Sequence, residues 1–120
     1  MAIEELKRRY KKFSLDVLKF TEGLPKDLVC KILVTQLVRS ATSVAANYRA
    51  ACRAKSSAHF ISKSGDIEEE ADESVFWLEM LVDAGKSKMA DAVSLIREAN
   101  ELTAITVASI NTARKSGGRQ

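Results

Sequence analysis

Gln36-Leu-Val-Arg-Ser-Ala-Thr-Ser-Val-Ala-Ala-Asn-Tyr-Arg-Ala-Ala-Cys52 contains neither Gly nor Pro, and its apolar and small residues fall at Leu37, Ala41, Val44, Tyr48 and Ala51. Steps of three and four keep one face of a helix turned inward, so this stretch reads as a core helix. The run of Ser and Ala from Ser40 to Ala46 marks close approach of a neighbour, because small side chains let two backbones come together. Arg39, Asn47 and Arg49 are the few polar groups beside it.

The rest of the chain repeats this periodicity. Ile3, Leu6, Tyr10, Phe13, Val17, Phe20 and Leu24 form a heptad-like seam over a first helix at 2–22, which Gly23 is expected to end in a left-handed conformation. Pro25 stands near the first turn of a second helix at 26–53. Its inner stripe is Cys30, Val34, Leu37, Ala41, Val44, Tyr48 and Ala51, widened by Leu28, Ile32, Val38, Ala45 and Cys52.

Ser56-Ser57 reads as a turn and N-cap for a third helix at 57–84, with Phe60, Ser64, Ile67, Ala71, Ser74, Leu78 and Leu81 inward and Gly85 closing it. Gly65 inside that helix costs about 1 kcal/mol relative to Ala, a cost explained most simply by a neighbouring helix passing close. A fourth helix at 88–114 uses Val93, Ile96, Asn100, Thr103, Val107 and Ile110, and 115–120 reads as a disordered tail.

Composition agrees with an all-α chain. One Pro and five Gly leave few helix breakers, aromatics make up 6%, and no β-branched run alternates with polar residues. At 120 residues the chain forms one domain, 1–120. Four helices joined by short turns give an antiparallel up-down-up-down four-helix bundle. Cys30 and Cys52 sit on one helix roughly 33 Å apart, too far to pair, which fits a reducing compartment. The N-terminus is charged where a signal peptide would be apolar, and no apolar run is expected to approach the roughly 18 residues that span a bilayer. A cytoplasmic location is the expectation.

The formal charge of +3 is too small to imply a polyanionic partner, so distribution must decide. In the expected topology Lys7, Arg8, Arg9, Lys11, Lys12, Arg49, Arg53, Lys55, Lys63, Arg114, Lys115 and Arg119 gather at one pole, with only Glu4 and Glu5 nearby. Of these, Lys7, Arg8, Arg9, Lys11, Lys12, Arg49, Arg53, Lys55 and Arg114 are the candidate nucleic-acid contacts, since clustered cations displace counterions from phosphates. The alternative is a solvated surface with cations well placed at helix C-termini.

The acidic run Glu68-Glu-Glu-Ala-Asp-Glu73, with Glu98 and Glu101 on the fourth helix, offers a second chemistry. Glu69, Asp72, Glu73, Glu98 and Glu101 could hold Mg²⁺ for an all-α nucleotide pyrophosphohydrolase. A di-iron site is excluded because His59, the single histidine, does not follow any Glu by three residues. The plainer assignment pairs Arg39 with Glu69 and Glu73 across the hairpin of the second and third helices. His59 has no Ser or Cys nucleophile at motif spacing, and no P-loop or Rossmann glycine pattern occurs. No catalytic residue, metal or cofactor is expected. Trp77 and Met80, with Leu95 and Leu102, lie outside the chosen seams and form a candidate apolar interface for a homo-oligomer.

Gln36-Leu-Val-Arg39-Ser-Ala-Thr-Ser43-Val-Ala-Ala-Asn47-Tyr-Arg49, Ser57-Ala-His-Phe60-Ile61, Glu68-Glu-Glu-Ala-Asp72-Glu-Ser-Val-Phe-Trp77-Leu-Glu79 and Asp83-Ala-Gly85 together resemble the four-helix proteins encoded in intervening sequences of bacterial 23S ribosomal RNA genes. The resemblance runs from about Leu15 to Arg114. It implies a small bacterial protein assembled as a homopentamer. It also implies kinship with accessory proteins of diversity-generating retroelements, in which a basic bundle contacts reverse transcriptase and nucleic acid. It carries over no catalytic residues; Arg39, Asn47, Glu73 and Gly85 match its motif positions as structural residues. Sequence therefore points to a non-enzymatic oligomeric bundle with RNA, DNA or a protein as partner and no membrane.

Overall fold

Local chemistry sets where each helix begins and ends. In the structure, a computed structural model describing residues 2–117, the helices are α1 (Ile3–Glu22), α2 (Leu28–Cys52), α3 (Ser57–Asp83) and α4 (Met89–Gly117), with no strand among the described residues. α2 starts two residues later than expected because Asp27 is its N-cap: the carboxylate accepts the Cys30 N–H at 2.9 Å. Lys86 from the turn before α4 donates to the same carboxylate at 3.2 Å. Both contacts favour the ionised form and hold Asp27 below the usual carboxylate range.

Ser56 caps α3 by accepting the His59 N–H at 3.0 Å. Gly85 at φ 75° provides the left-handed stop, with the Lys86 and Ser87 N–H groups returning to the Leu81 carbonyl. Gly23 does not take that conformation: its φ is −87°, and α1 closes through a tight bond from the Gly23 N–H to the Phe20 carbonyl. α4 continues through Lys115 to Gly117, beyond the expected end at 114, so only 118–120 of the expected tail, including Arg119, lie outside the described residues.

Each helix packs on two neighbours: α2 on α1 and α3, α4 on α3 and more lightly on α1. The result is a rod of 54 × 23 × 20 Å. Tyr10, Phe13, Val17, Leu37, Val44, Ile67, Leu78, Leu81 and Leu102 are its large, wholly buried side chains. The α3 stripe is as expected from Ser64 to Leu81. In α4 the buried residues are instead Ala92, Leu95, Ala99, Leu102, Thr106 and Ile110, one position away from most of the expected seam. The small Ala92 and Ala99 are both fully buried. The seam of α1 frays at Ile3, which is 60% exposed.

Small polar groups tie the helices together without leaving a buried side-chain polar atom unpaired among the described residues. The Ser14 hydroxyl donates to the Ala41 carbonyl at 2.7 Å, and Ser74 donates to Ser40 at 3.0 Å. The Tyr10 hydroxyl meets Thr106 at 2.7 Å while its ring stacks on Tyr48 at 4.1 Å. These short bridges require the small residues that the Ser40–Ala46 run supplies. Against the expectation from sequence, α2 is long and apolar enough by length and composition to cross a bilayer, at a mean hydropathy of 1.3. Here its Cys30, Leu37, Ala41 and Val44 are wholly buried in the bundle.

Gly65 does not mark a close approach. A Cβ built on it would meet no atom within 4 Å, and its φ is not positive. Gly65→Ala is therefore expected to stabilise the fold by about 1 kcal/mol, by raising helix propensity and restricting the unfolded chain. Thermal unfolding would register this as a higher Tm; an unchanged or lower Tm would mean the site is filled in solution.

Candidate nucleic-acid interface

The cations of α1 divide between two flanks, because successive helical residues are about 100° apart. Lys7, Arg8 and Lys11 project along the α2 side of α1, where they meet Arg49 and, four residues on, the α2 C-cap Arg53. These five cations rim a groove of about 410 Å³ floored by Ala45, Ala46 and Tyr48, and no carboxylate lines it. Lys7 also contacts the exposed Glu4 at 3.4 Å.

Arg9 is drawn away to the opposite flank. Its Nε and Nη2 donate to the two oxygens of Glu98 at 2.9 and 2.7 Å, and Nη2 also reaches Glu101. The fork geometry depresses the Glu98 carboxyl and raises Arg9. Arg9 is thus a bridge between α1 and α4 rather than a free cation, and Lys12 pairs with Asp16 on its own helix.

The remaining candidates sit at the same end of the rod. Ile3 and Leu6 of α1, Cys52 and Ala54 with Lys55 at the end of α2, Ser57 and Phe60 of α3, and Ser109 and Ala113 of α4 line one hollow of about 570 Å³. Arg114 and Lys115 lie exposed in the last turn of α4, whose Gly117 comes beside Ser57. Burial and the neighbouring Cys52 thiol raise Tyr48 above the ordinary phenol range, keeping it neutral.

Three of the five carboxylates offered as metal ligands, Glu73, Glu98 and Glu101, are paired with guanidinium groups. Glu98 and Glu101 hold Arg9, and Arg39 pairs with Glu73 and, at 3.4 Å, with Glu70 rather than Glu69. Trp77 Nε1 adds a hydrogen bond to Glu73 at 3.1 Å. Among the described residues no three His, Cys, Asp or Glu side chains converge as a cation site. Glu69 and Asp72 are exposed, as is His59, whose Nδ1 accepts the Lys55 N–H.

The four candidate interface residues divide. Met80 is 37% exposed and Trp77 half-buried on the outer face of α3, whereas Leu95 and Leu102 are core residues at 8% and 0%. The shifted phase of α4 explains the difference. Phe76, absent from the sequence candidates, is 52% exposed and packs edge-on against Trp77 at 4.8 Å. Its spacing of four from Met80 was a usable signal. Leu28 and Ile32 are exposed on α2, which packs against α3.

An all-α chain of four helices with a cationic groove describes a class of small helical bundles. Within it, the model of the 23S rRNA-intervening sequence proteins matches residues 5–108, and the chain belongs to that family. The chain is also similar to a crystal structure from Bacteroides thetaiotaomicron, described as a protein of unknown function from the S23 ribosomal protein family. That match has a TM-score of 0.85 at 26% identity and covers 92% of this chain and 99% of that one. No curated protein matches the chain.

Proposed function

We propose that this protein is a non-enzymatic, homo-oligomeric bundle that binds the phosphate backbone of nucleic acid through its basic end. The observation that carries the reading is the groove of Lys7, Arg8, Lys11, Arg49 and Arg53, five cations from two helices with no carboxylate in the lining. An up-down-up-down order, part of the same proposal, would bring distant basic segments to one end. The contacts of Ser14 with Ala41 and of Ser40 with Ser74 support that order.

Self-association would use the exposed Phe76 and Met80 and the half-buried Trp77 of α3, with the exposed Leu28 and Ile32 of α2, as apolar surface for a partner copy to cover. The family resemblance suggests five subunits, each repeating the groove and adding avidity without new contacts. Binding displaces counterions, so log affinity should fall against log salt by about 0.7 for each phosphate neutralised on a single strand. Fluorescence anisotropy with labelled RNA across a salt series tests this. Lys11→Glu with Arg49→Glu and Arg53→Glu should weaken binding by about 100-fold and flatten the slope, leaving the Tm nearly unchanged because all three side chains are exposed. Affinity indifferent to salt or to these reversals overturns the reading.

A further inference from the structure

We infer that the groove between α1 and α2 seats a single strand of nucleic acid, with phosphates between two cation pairs and bases over the Ala45, Ala46 and Tyr48 floor. This rests on the nucleic-acid reading above and narrows it from polyanions in general to strands with unpaired bases. Lys7 and Lys11 on one rim, and Arg49 and Arg53 on the other, are each one helical turn apart, a rise of about 6 Å. The rims belong to two packed helices whose axes lie about 8–10 Å apart, so the space between them is far narrower than a duplex. A duplex would rest on the rims alone, whereas one strand can enter.

The floor is the second argument. It is mainly apolar, which is of no use to a duplex exterior made of sugar and phosphate but suits the face or edge of a base. It is also rigid. The inner face of Tyr48 stacks on Tyr10 at 4.1 Å, and Tyr10 is pinned by its hydroxyl to Thr106 at 2.7 Å. A fixed floor loses little freedom when a base lands on it. Cationic rims around such a floor are the two elements that single-strand binders combine.

The test compares three labelled probes of equal phosphate count by anisotropy at one salt concentration: an oligouridylate of about 15 nucleotides, its abasic counterpart, and a blunt RNA duplex. The oligouridylate should bind about 10-fold tighter than either of the others, since each base seated on an apolar or aromatic platform contributes roughly that factor or more. Ala46→Leu raises the floor at an exposed position without changing charge, and replaces one strong helix former with another. It should weaken the oligouridylate about fivefold or more and leave the duplex unchanged. Equal affinity for all three probes, or an Ala46→Leu variant that binds oligouridylate normally, overturns the single-strand seat while leaving backbone binding in place. Failure of the wild-type protein to bind any probe overturns both.

Discussion

Leu102→Ala is expected to lower the free energy of unfolding by about 3 kcal/mol, while Phe76→Ala changes it by no more than about 0.5 kcal/mol. Leu102 is 0% exposed, so truncation there loses the transfer energy of the removed carbons and leaves a cavity among rigid neighbours. Adjacent Thr106 and Tyr10 are fixed by their hydrogen bond and cannot easily collapse into it. Phe76 is 52% exposed, and its edge contact with Trp77 is worth a fraction of a kcal/mol at the surface. Urea unfolding at concentrations where the chain is monomeric separates the two effects. Comparable costs at both positions, or a larger one at Phe76, would place Leu102 on a partner-facing surface.

The pair also indicates what sequence could resolve. Periodicity located all four helices, and in α3 it picked out the buried stripe, because Ile67, Leu78 and Leu81 are large and Ala71 and Ser74 fall in step with them. In α4 the same reasoning settled on Val93, Ile96 and Val107, favouring apolar bulk over the small Ala92 and Ala99 that are actually buried. A choice one residue off rotates the helix by about 100°, enough to put Leu95 and Leu102 on the wrong side.

The basic end was legible as a cluster but not as a site. Arg8 and Arg9 are neighbours in sequence, yet Arg8 lines the groove and Arg9 crosses to Glu98 on α4, 89 positions away. Only the register between α1 and α4 decides that, and register is absent from a one-dimensional pattern. Asp27 is a different kind of omission. Pro25 drew the helix start forward, although an Asp two residues later was a recognisable cap signal.

If copies assemble and bind RNA as proposed, Phe76→Lys combined with Met80→Lys is expected to yield single chains and to reduce RNA affinity by about 100-fold or more, although both substitutions add charge of the sign that favours RNA. Aromatic and Met side chains at the centre of an interface carry much of its energy, and a Lys enclosed there without a partner is expensive to desolvate. Both positions are exposed on α3, away from the core, so each chain should keep its helical content and its own groove. What is lost is the linkage between grooves, through which the second and later contacts form at high effective concentration. Light scattering gives the subunit number and anisotropy the affinity on the same samples. Because the added charge alone would strengthen binding, weaker binding by a one-chain species has to come from lost multivalency. A one-chain species with undiminished affinity would show that a single groove suffices, and an intact oligomer would show that the Phe76 and Met80 face is not where copies meet.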